Sequence, residues 1–150
     1  RRSEGGAVER RQHVYGHRDP ASLGAEKKRA EIRVTDGRLA ATLPGRGDEE
    51  VAAAMPRLVA PPSGSMGKAM FEACDELGYT VVMWTRDTID WRDHDAALIT
   101  QRATKNLAGG DLILMHPTAA TVEALPAILD AIADAGLAVA PVSETIGAAG

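Results

Sequence analysis

Gly110-Asp111-Leu112-Ile113-Leu114-Met115-His116-Pro117-Thr118 is the stretch on which the fold turns. Leu112 to Met115 is apolar at every position, so a strand formed here is greasy on both faces and suits a sheet covered on both sides. A titratable residue, His116, follows at once. Beyond it Leu125, Ile128, Leu129 and Ile132 recur at helical spacing, which predicts a helix over 122–135 with those four side chains inward and Gly136 at its end. Pro126 fits that helix if it lies in the first turn, where no N–H is needed. Apolar strand, polar residue, amphipathic helix is the repeating unit of a parallel α/β sheet.

The same unit recurs on either side. Upstream, Arg57-Leu58-Val59-Ala60 is a short apolar stretch stopped by Pro61-Pro62, and reads as a buried strand. Ser65 then caps a helix with Met66, Ala69, Met70, Ala73 and Leu77 on one stripe, closed by Gly78. Cys74 falls one position off that stripe, which predicts partial burial. Tyr79 to Trp84 is β-branched and aromatic and reads as a strand. A helix over 95–107 presents Ala96, Ile99, Ala103 and Leu107, and Gly109-Gly110 ends it. Downstream, Leu137 to Pro141 reads as a last strand, and Ser143 opens a short terminal helix. Towards the start, a helix over 22–43 is capped by Ser22, and 44–50 is a polar loop. The fold class predicted is therefore α/β, parallel strands alternating with helices. Four strands are too few to close a (β/α) barrel, which uses about eight; an open sheet and an incomplete barrel both remain.

Composition narrows the function. The 150 residues are 45% hydrophobic and 25% charged, as in an ordinary globular domain. No apolar run is long enough to span a membrane. One cysteine excludes an internal disulfide framework and a CxxC metal site. A net charge of −4 with 3% aromatics speaks against a nucleic-acid surface. Residues 1–50 hold 11 Lys/Arg against 9 Asp/Glu, and residues 51–150 hold 6 against 12. The acidic excess lies where most of the candidate chemistry lies, and suits a cation better than an anion.

Sites in parallel α/β folds gather at the carboxyl ends of the strands. The residues there are Pro61-Pro62-Ser63-Gly64, Asp87-Thr88-Ile89-Asp90-Trp91, His116-Pro117-Thr118 and Pro141-Val142-Ser143-Glu144. His116 reads either as a core histidine with one partner or as a proton-transfer group. Asp90 reads either as a loop cap or as the carboxylate that orients an imidazole. His13 and His17 form an HxxxH pair, able to reach one metal or simply solvated; Val14 between them excludes the zincin motif, which needs Glu there. Gly64-Ser65-Met66-Gly67-Lys68 imitates a phosphate loop, but Pro62 and Ala69 break the pattern. It is also one residue short of a serine nucleophile elbow.

Taken in order, HVYGHRDPASL at 13–23, EIRVTD at 31–36, LVAPPSGS at 58–65, ELGYTVVMWTRDTIDW at 76–91 and GDLILMHPTAATVEALPAILDAI at 110–132 resemble the polysaccharide deacetylases of the NodB-homology family, carbohydrate esterase family 4. The nearest look is to the sporulation-type peptidoglycan or chitooligosaccharide deacetylases. The resemblance covers residues 13–147 and implies an incomplete, distorted (β/α) barrel of the NodB type lacking its first βα units. It also implies metal-dependent hydrolysis of N-acetyl groups from a GlcNAc-containing polysaccharide in a bacterial cell envelope. His13 and His17 look like ligands of a divalent metal, commonly zinc. Pro61, Pro62, Ser63 and Gly64 look like the groove segment, with the Ser63 N–H aiding the oxyanion. Leu114 looks like part of the acetyl pocket. His116 looks like the general acid, and Asp90, beside Trp91, like the group that tunes it, with Asp87 the alternative.

The chain also departs from that pattern. It contains no Asp-Asp pair, which in the family supplies a metal ligand and the general base. Ala60 stands where the family has a groove Arg, and Ser63 where it has an aromatic residue. The expectation for this chain by itself is weak zinc binding and no turnover, since a catalytic zinc normally has three protein ligands. The alternative to an enzyme is a degenerate domain that holds glycan without hydrolysing it. A third reading is an open-sheet small-molecule binder without metal.

Overall fold

In the computed structural model of the chain the described residues are 57–61 and 67–147, together with the helical residues Glu26, Lys27 and Ala30. The chain divides into two units, Arg1–Met83 and Trp84–Gly150. The helix read over 22–43 and the loop at 44–50 lie largely or wholly outside the described residues, and the helix expected to be capped by Ser65 instead begins at Lys68 with Gly67 as its cap.

In the first unit the strand β1 (Leu58–Val59) pairs in parallel with β2 (Thr80–Val81), Leu58 opposite Thr80 and Val59 opposite Val81. The helix α1 (Lys68–Glu76) makes the crossover. Gly78, at φ 69°, ends it: the Tyr79 N–H reaches the Cys74 carbonyl at 2.7 Å and the Gly78 N–H reaches that of Asp75 at 3.0 Å. This double closure needs a residue in the left-handed region, hence glycine. Val59, Met70, Ala73 and Cys74 form the core, with Leu77, Tyr79 and Val81 packed on it. Cys74 is thus fully buried, at 1% exposure, rather than partly buried as predicted. The inward ridge runs 70–73–74, so the residue beside the expected stripe belongs to it. Burial pushes the Cys74 thiol above its ordinary pKa.

The second unit holds β3 (Arg86–Asp87) and β4 (Ile113–Leu114), again parallel, with Arg86 opposite Ile113 and Asp87 opposite Leu114. Three helices complete its described elements: α2 (Ala96–Thr104), α3 (Ala119–Asp134) and α4 (Val142–Gly147). Asp95 caps α2 by accepting the Ala97 and Leu98 N–H groups at 2.9 and 3.0 Å. Gly136, at φ 70°, closes α3 as Gly78 closes α1.

The parallel pairing agrees with the expectation; several boundaries do not. The apolar run 79–84 supplies only β2 at Thr80–Val81, and a further strand, β3, follows it. Leu137 to Pro141 forms no strand. α3 starts at Ala119, so Pro126 is its eighth residue and not in its first turn. The carbonyl deprived of its donor belongs to Val122, which is 66% exposed, so water can replace the lost bond. The inward face of α3 differs as well. Ala120, Ala124 and Ile128 pack with Ile99 and Ala103 of α2 and with the partly buried Ile113, Met115 and Ile132. Leu125 and Leu129 are 38% and 45% exposed and line an apolar groove of about 320 Å³. Alanines on the facing sides of α2 and α3 let the two helices approach, and that contact sets the rotation of α3.

This assignment predicts unequal costs for two neighbouring truncations. Ile128→Ala lowers stability by about 2–5 kcal/mol in urea denaturation, whereas Leu129→Ala costs under about 1 kcal/mol. Equal costs would restore the orientation expected from periodicity.

Candidate functional site

Parallel pairing brings the carboxyl ends of β3 and β4 side by side. The ladder continues one residue past the strands, where Thr88, fully buried, donates its Oγ1 to the Leu114 carbonyl at 2.8 Å. Arg86 anchors the start of β3. Its Nε meets Asp111 Oδ2 at 2.7 Å, and its other nitrogens donate to the carbonyls of Lys105 and Asn106. Thr85 adds a bond from Oγ1 to Asp111 Oδ1 at 2.8 Å.

Past Thr88 the chain turns sharply. Ile89 takes φ 54°, a left-handed conformation that a β-branched residue rarely adopts and that costs on the order of 1–3 kcal/mol. The turn is held from both sides. Asp87 Oδ1 accepts the Ile89 N–H at 2.9 Å, and the Ile89 carbonyl accepts the N–H groups of Arg92 and Asp93 at 3.1 and 2.9 Å. Arg102 of α2 donates to the Thr88 carbonyl at 3.0 Å and to Asp93 Oδ2 at 2.7 Å. The guanidinium groups of Arg92 and then Arg102, bonded to Asp93, hold its carboxyl far below the usual range.

The turn delivers Asp90 to the end of β4. Its side chain has no solvent exposure. Oδ2 accepts the His116 backbone N–H at 2.5 Å and the Thr121 hydroxyl at 2.6 Å, and Oδ1 lies 2.7 Å from His116 Nδ1. Burial, the largest single influence, pushes the Asp90 pKa up. The bonds from Thr121 and from the His116 backbone and ring, with the imidazole's charge, together outweigh it and hold the carboxyl below its ordinary value.

An ionised Asp90 can only accept, so the contact at Nδ1 requires a proton on that nitrogen. The neutral imidazole is then the Nδ1–H tautomer, and the proton it gains or gives is carried on Nε2. The side chain of His116 is 37% exposed, so the ring is pinned on one side and open on the other. A buried carboxylate that fixes the tautomer of a half-exposed imidazole is the arrangement used in general acid–base catalysis.

The other predicted positions fall as follows. Asp87 bonds Ile89 within its own turn, and the carboxylate on His116 is that of Asp90. Trp91 is 57% exposed, with the Arg92 guanidinium 6.0 Å from its ring. Leu114 is half-buried in β4. Pro61 is buried at the end of β1, in the other unit. Pro62, Ser63, Gly64, His13 and His17 lie outside the described residues. Among the described residues no group of three or more His, Cys, Asp and Glu side chains could hold a metal ion. Sequence reasoning named Thr118 at a strand end without giving it a role, and missed Thr121. Their signal was the pairing of two hydroxyl residues three apart at a helix start, where Thr118 Oγ1 caps the Thr121 N–H at 3.1 Å.

The chain is 35% identical over 132 residues to the uncharacterized protein YlxY of Bacillus subtilis, a match covering 88% of this chain and 39% of that protein. It is 33% identical over 97 residues to a peptidoglycan-N-acetylglucosamine deacetylase of Bacillus cereus, 61% of this chain and 46% of the relative. The chain therefore spans less than half the length of these two relatives. BA3943 of Bacillus anthracis, a CE4 family pseudoenzyme, has a similar fold, with TM-score 0.75 and 29% identity over 90% of this chain and 45% of that one. A mutant of it is a pseudoenzyme with restored enzymatic activity. No protein-family model matches the chain. These relatives and structural neighbours include peptidoglycan N-acetylglucosamine deacetylases and family 4 carbohydrate esterases, consistent with a NodB-like polysaccharide deacetylase domain.

Replacing Asp90 tests the network. In Asp90→Asn one amide N–H₂ must face a donor, which costs about 1–3 kcal/mol near neutral pH. A carboxyl whose folded pKa is depressed contributes stability above its unfolded value of about 3.9, and that contribution disappears as pH falls through the folded value. The stability gap between wild type and Asp90→Asn, followed by urea denaturation, is therefore full above about pH 4 and narrows on acidification. A gap constant down to pH 2 would contradict a folded-state pKa below the unfolded one.

Proposed function

We propose that the chain carries the proton-donating part of a metal-dependent N-deacetylase acting on a GlcNAc-containing polysaccharide, peptidoglycan or a chitooligosaccharide, within a distorted (β/α) barrel. The observation that carries this reading is the buried Asp90 fixing Nδ1 of a half-exposed His116 at the strand ends, in a chain whose relatives include peptidoglycan N-acetylglucosamine deacetylases. An amide nitrogen is a poor leaving group until protonated. His116, charged, delivers that proton from Nε2, and Asp90 stabilises the imidazolium until it does so. By resemblance in sequence alone, Leu114 and Trp91 are assigned to the acetyl pocket, and Pro61, Pro62, Ser63 and Gly64 to the groove segment, with the Ser63 N–H as the oxyanion donor. His13 and His17 would hold the divalent metal, zinc by resemblance, which supplies polarisation of the carbonyl and a water of lowered pKa. The place of action is the bacterial cell envelope, where such glycans lie. No described helix is long and apolar enough to cross a membrane.

The second reading is a degenerate domain that binds glycan without turnover. The presence of Ala60 favours it, as does the likeness to a pseudoenzyme. Acetate release from N-acetylated chitooligosaccharides and from peptidoglycan separates the two. A deacetylase releases acetate and loses at least about 100-fold of its rate in His116→Ala. A degenerate domain binds the same glycan and releases none.

Zinc titrated calorimetrically into the chain is expected to bind one-to-one and weakly, and His13→Ala or His17→Ala abolishes it. A binding isotherm unchanged in both variants would remove this pair from the proposal.

A further inference from the structure

We propose that Thr121, backed by Thr118, is a positioning residue that holds the Asp90 carboxylate in the rotation on which the tautomer of His116 depends. The inference deepens the reading above and rests on His116 being its proton donor.

The direction of each hydrogen bond follows from counting protons. Asp90 Oδ2 is an acceptor, so at 2.6 Å the single hydroxyl proton of Thr121 goes to it. Thr121 Oγ1 then has none left for Thr118, whose Oγ1 lies 2.8 Å away, and Thr118 must be the donor there. Thr118 Oγ1 in turn accepts the Thr121 backbone N–H at 3.1 Å. The chain of donation runs one way, from the first turn of α3 through two hydroxyls into the carboxylate, and each donor polarises the next. Thr121 is 7% exposed and Asp90 not at all, so no solvent donor replaces a lost hydroxyl there.

The geometry makes Thr121 more than a packing residue. Asp90 has two oxygens and three donors, and rotation about its carboxyl bond decides which oxygen meets which donor. The His116 N–H and the Thr121 hydroxyl converge on Oδ2, and this leaves Oδ1 aimed at Nδ1. With the hydroxyl removed, Oδ2 keeps only the backbone donor. Ionisation of the buried carboxyl becomes harder, because a bond that favoured the charged form is lost. The carboxyl is also free to rotate, and with Oδ1 turned away from Nδ1 nothing holds the ring proton on that nitrogen. Among the described residues His116 is the titratable group that acts on Asp90, so the two readouts report on one pair.

The experiment compares Thr121→Val, Thr121→Ala and Thr121→Ser with the wild-type full chain, using ¹⁵N NMR of the histidine rings for the tautomer and ¹³C NMR of the Asp90 carboxyl for its titration midpoint. In the valine and alanine chains the midpoint is expected to rise by about one pH unit, a tenfold change in acid dissociation constant, with Nε2–H tautomer appearing at His116. Serine, which keeps the hydroxyl, restores both wild-type values; a purely structural role for the side chain would give no such rescue. A folded valine or alanine chain with the wild-type tautomer and midpoint would overturn the proposal. Thr118→Gly, tolerable at an N-cap, removes the hydroxyl that donates to Thr121 and shifts both readouts the same way by less. If neither Thr121 chain folds, unchanged readouts in folded Thr118→Gly overturn it. Both measurements are made on the imidazole and carboxyl themselves, so acetate release by the wild-type chain bears on the deacetylase reading alone.

Discussion

A carboxylate with no access to water organises the second unit. Asp90 collects donors from the end of β4 and the first turn of α3, and it stands on the turn that leaves β3. Unpaired, a charge in that position would cost several kcal/mol; paired three ways, it joins the turn after β3 to the end of β4 and the start of α3, 26 and 31 positions further on. The geometry of the proposed proton donor and local stability are therefore one problem here. The bonds that would set the tautomer of His116 are the same bonds that close the top of the unit.

The price of that arrangement is visible one residue earlier. Ile89 sits at φ 54°, where a β-branched residue is strained. Glycine there would relieve the strain and also free the turn in the unfolded chain. Instead Asp87 and the N–H groups of Arg92 and Asp93 clamp the peptide on both sides, and Arg102 ties the turn to α2. Strain held in place by surrounding bonds is typical of positions where a side chain must be aimed. The side chain aimed by this turn is Asp90.

Much of this was readable from the amino acids, and what was not has identifiable causes. Gly78 and Gly136 announced two helix ends because the closing motif needs a left-handed residue. His116 and Asp90 stood out because both follow candidate strands. β3 was not readable, since Arg86 and Asp87 are polar; Arg86 enters the sheet because Asp111 and two carbonyls satisfy its guanidinium, a set of partners from a segment some twenty residues away. Leu137 to Pro141 has the composition of a strand, but composition does not supply a neighbour to pair with. The rotation of α3 was misread because large residues dominate a periodicity count. The contact with α2 is made by Ala120 and Ala124, whose small size is the reason the helices meet there. The bond from Thr121 to Asp90 spans 31 positions and is invisible to any local pattern.

The demands of the fold and those of proton transfer fall on different atoms of His116. Its backbone N–H and Nδ1 satisfy Asp90, and both serve the structure whether or not any substrate binds. A neutral donor such as an asparagine amide at this position could bond Oδ1 and leave the turn closed. Nε2 belongs to the open side of a ring that is 37% exposed. Burying Asp90 gives that half of the ring no task. A titratable imidazole held in one tautomer with its second nitrogen outward is therefore more than stability requires. This surplus is what the proposed proton transfer would use.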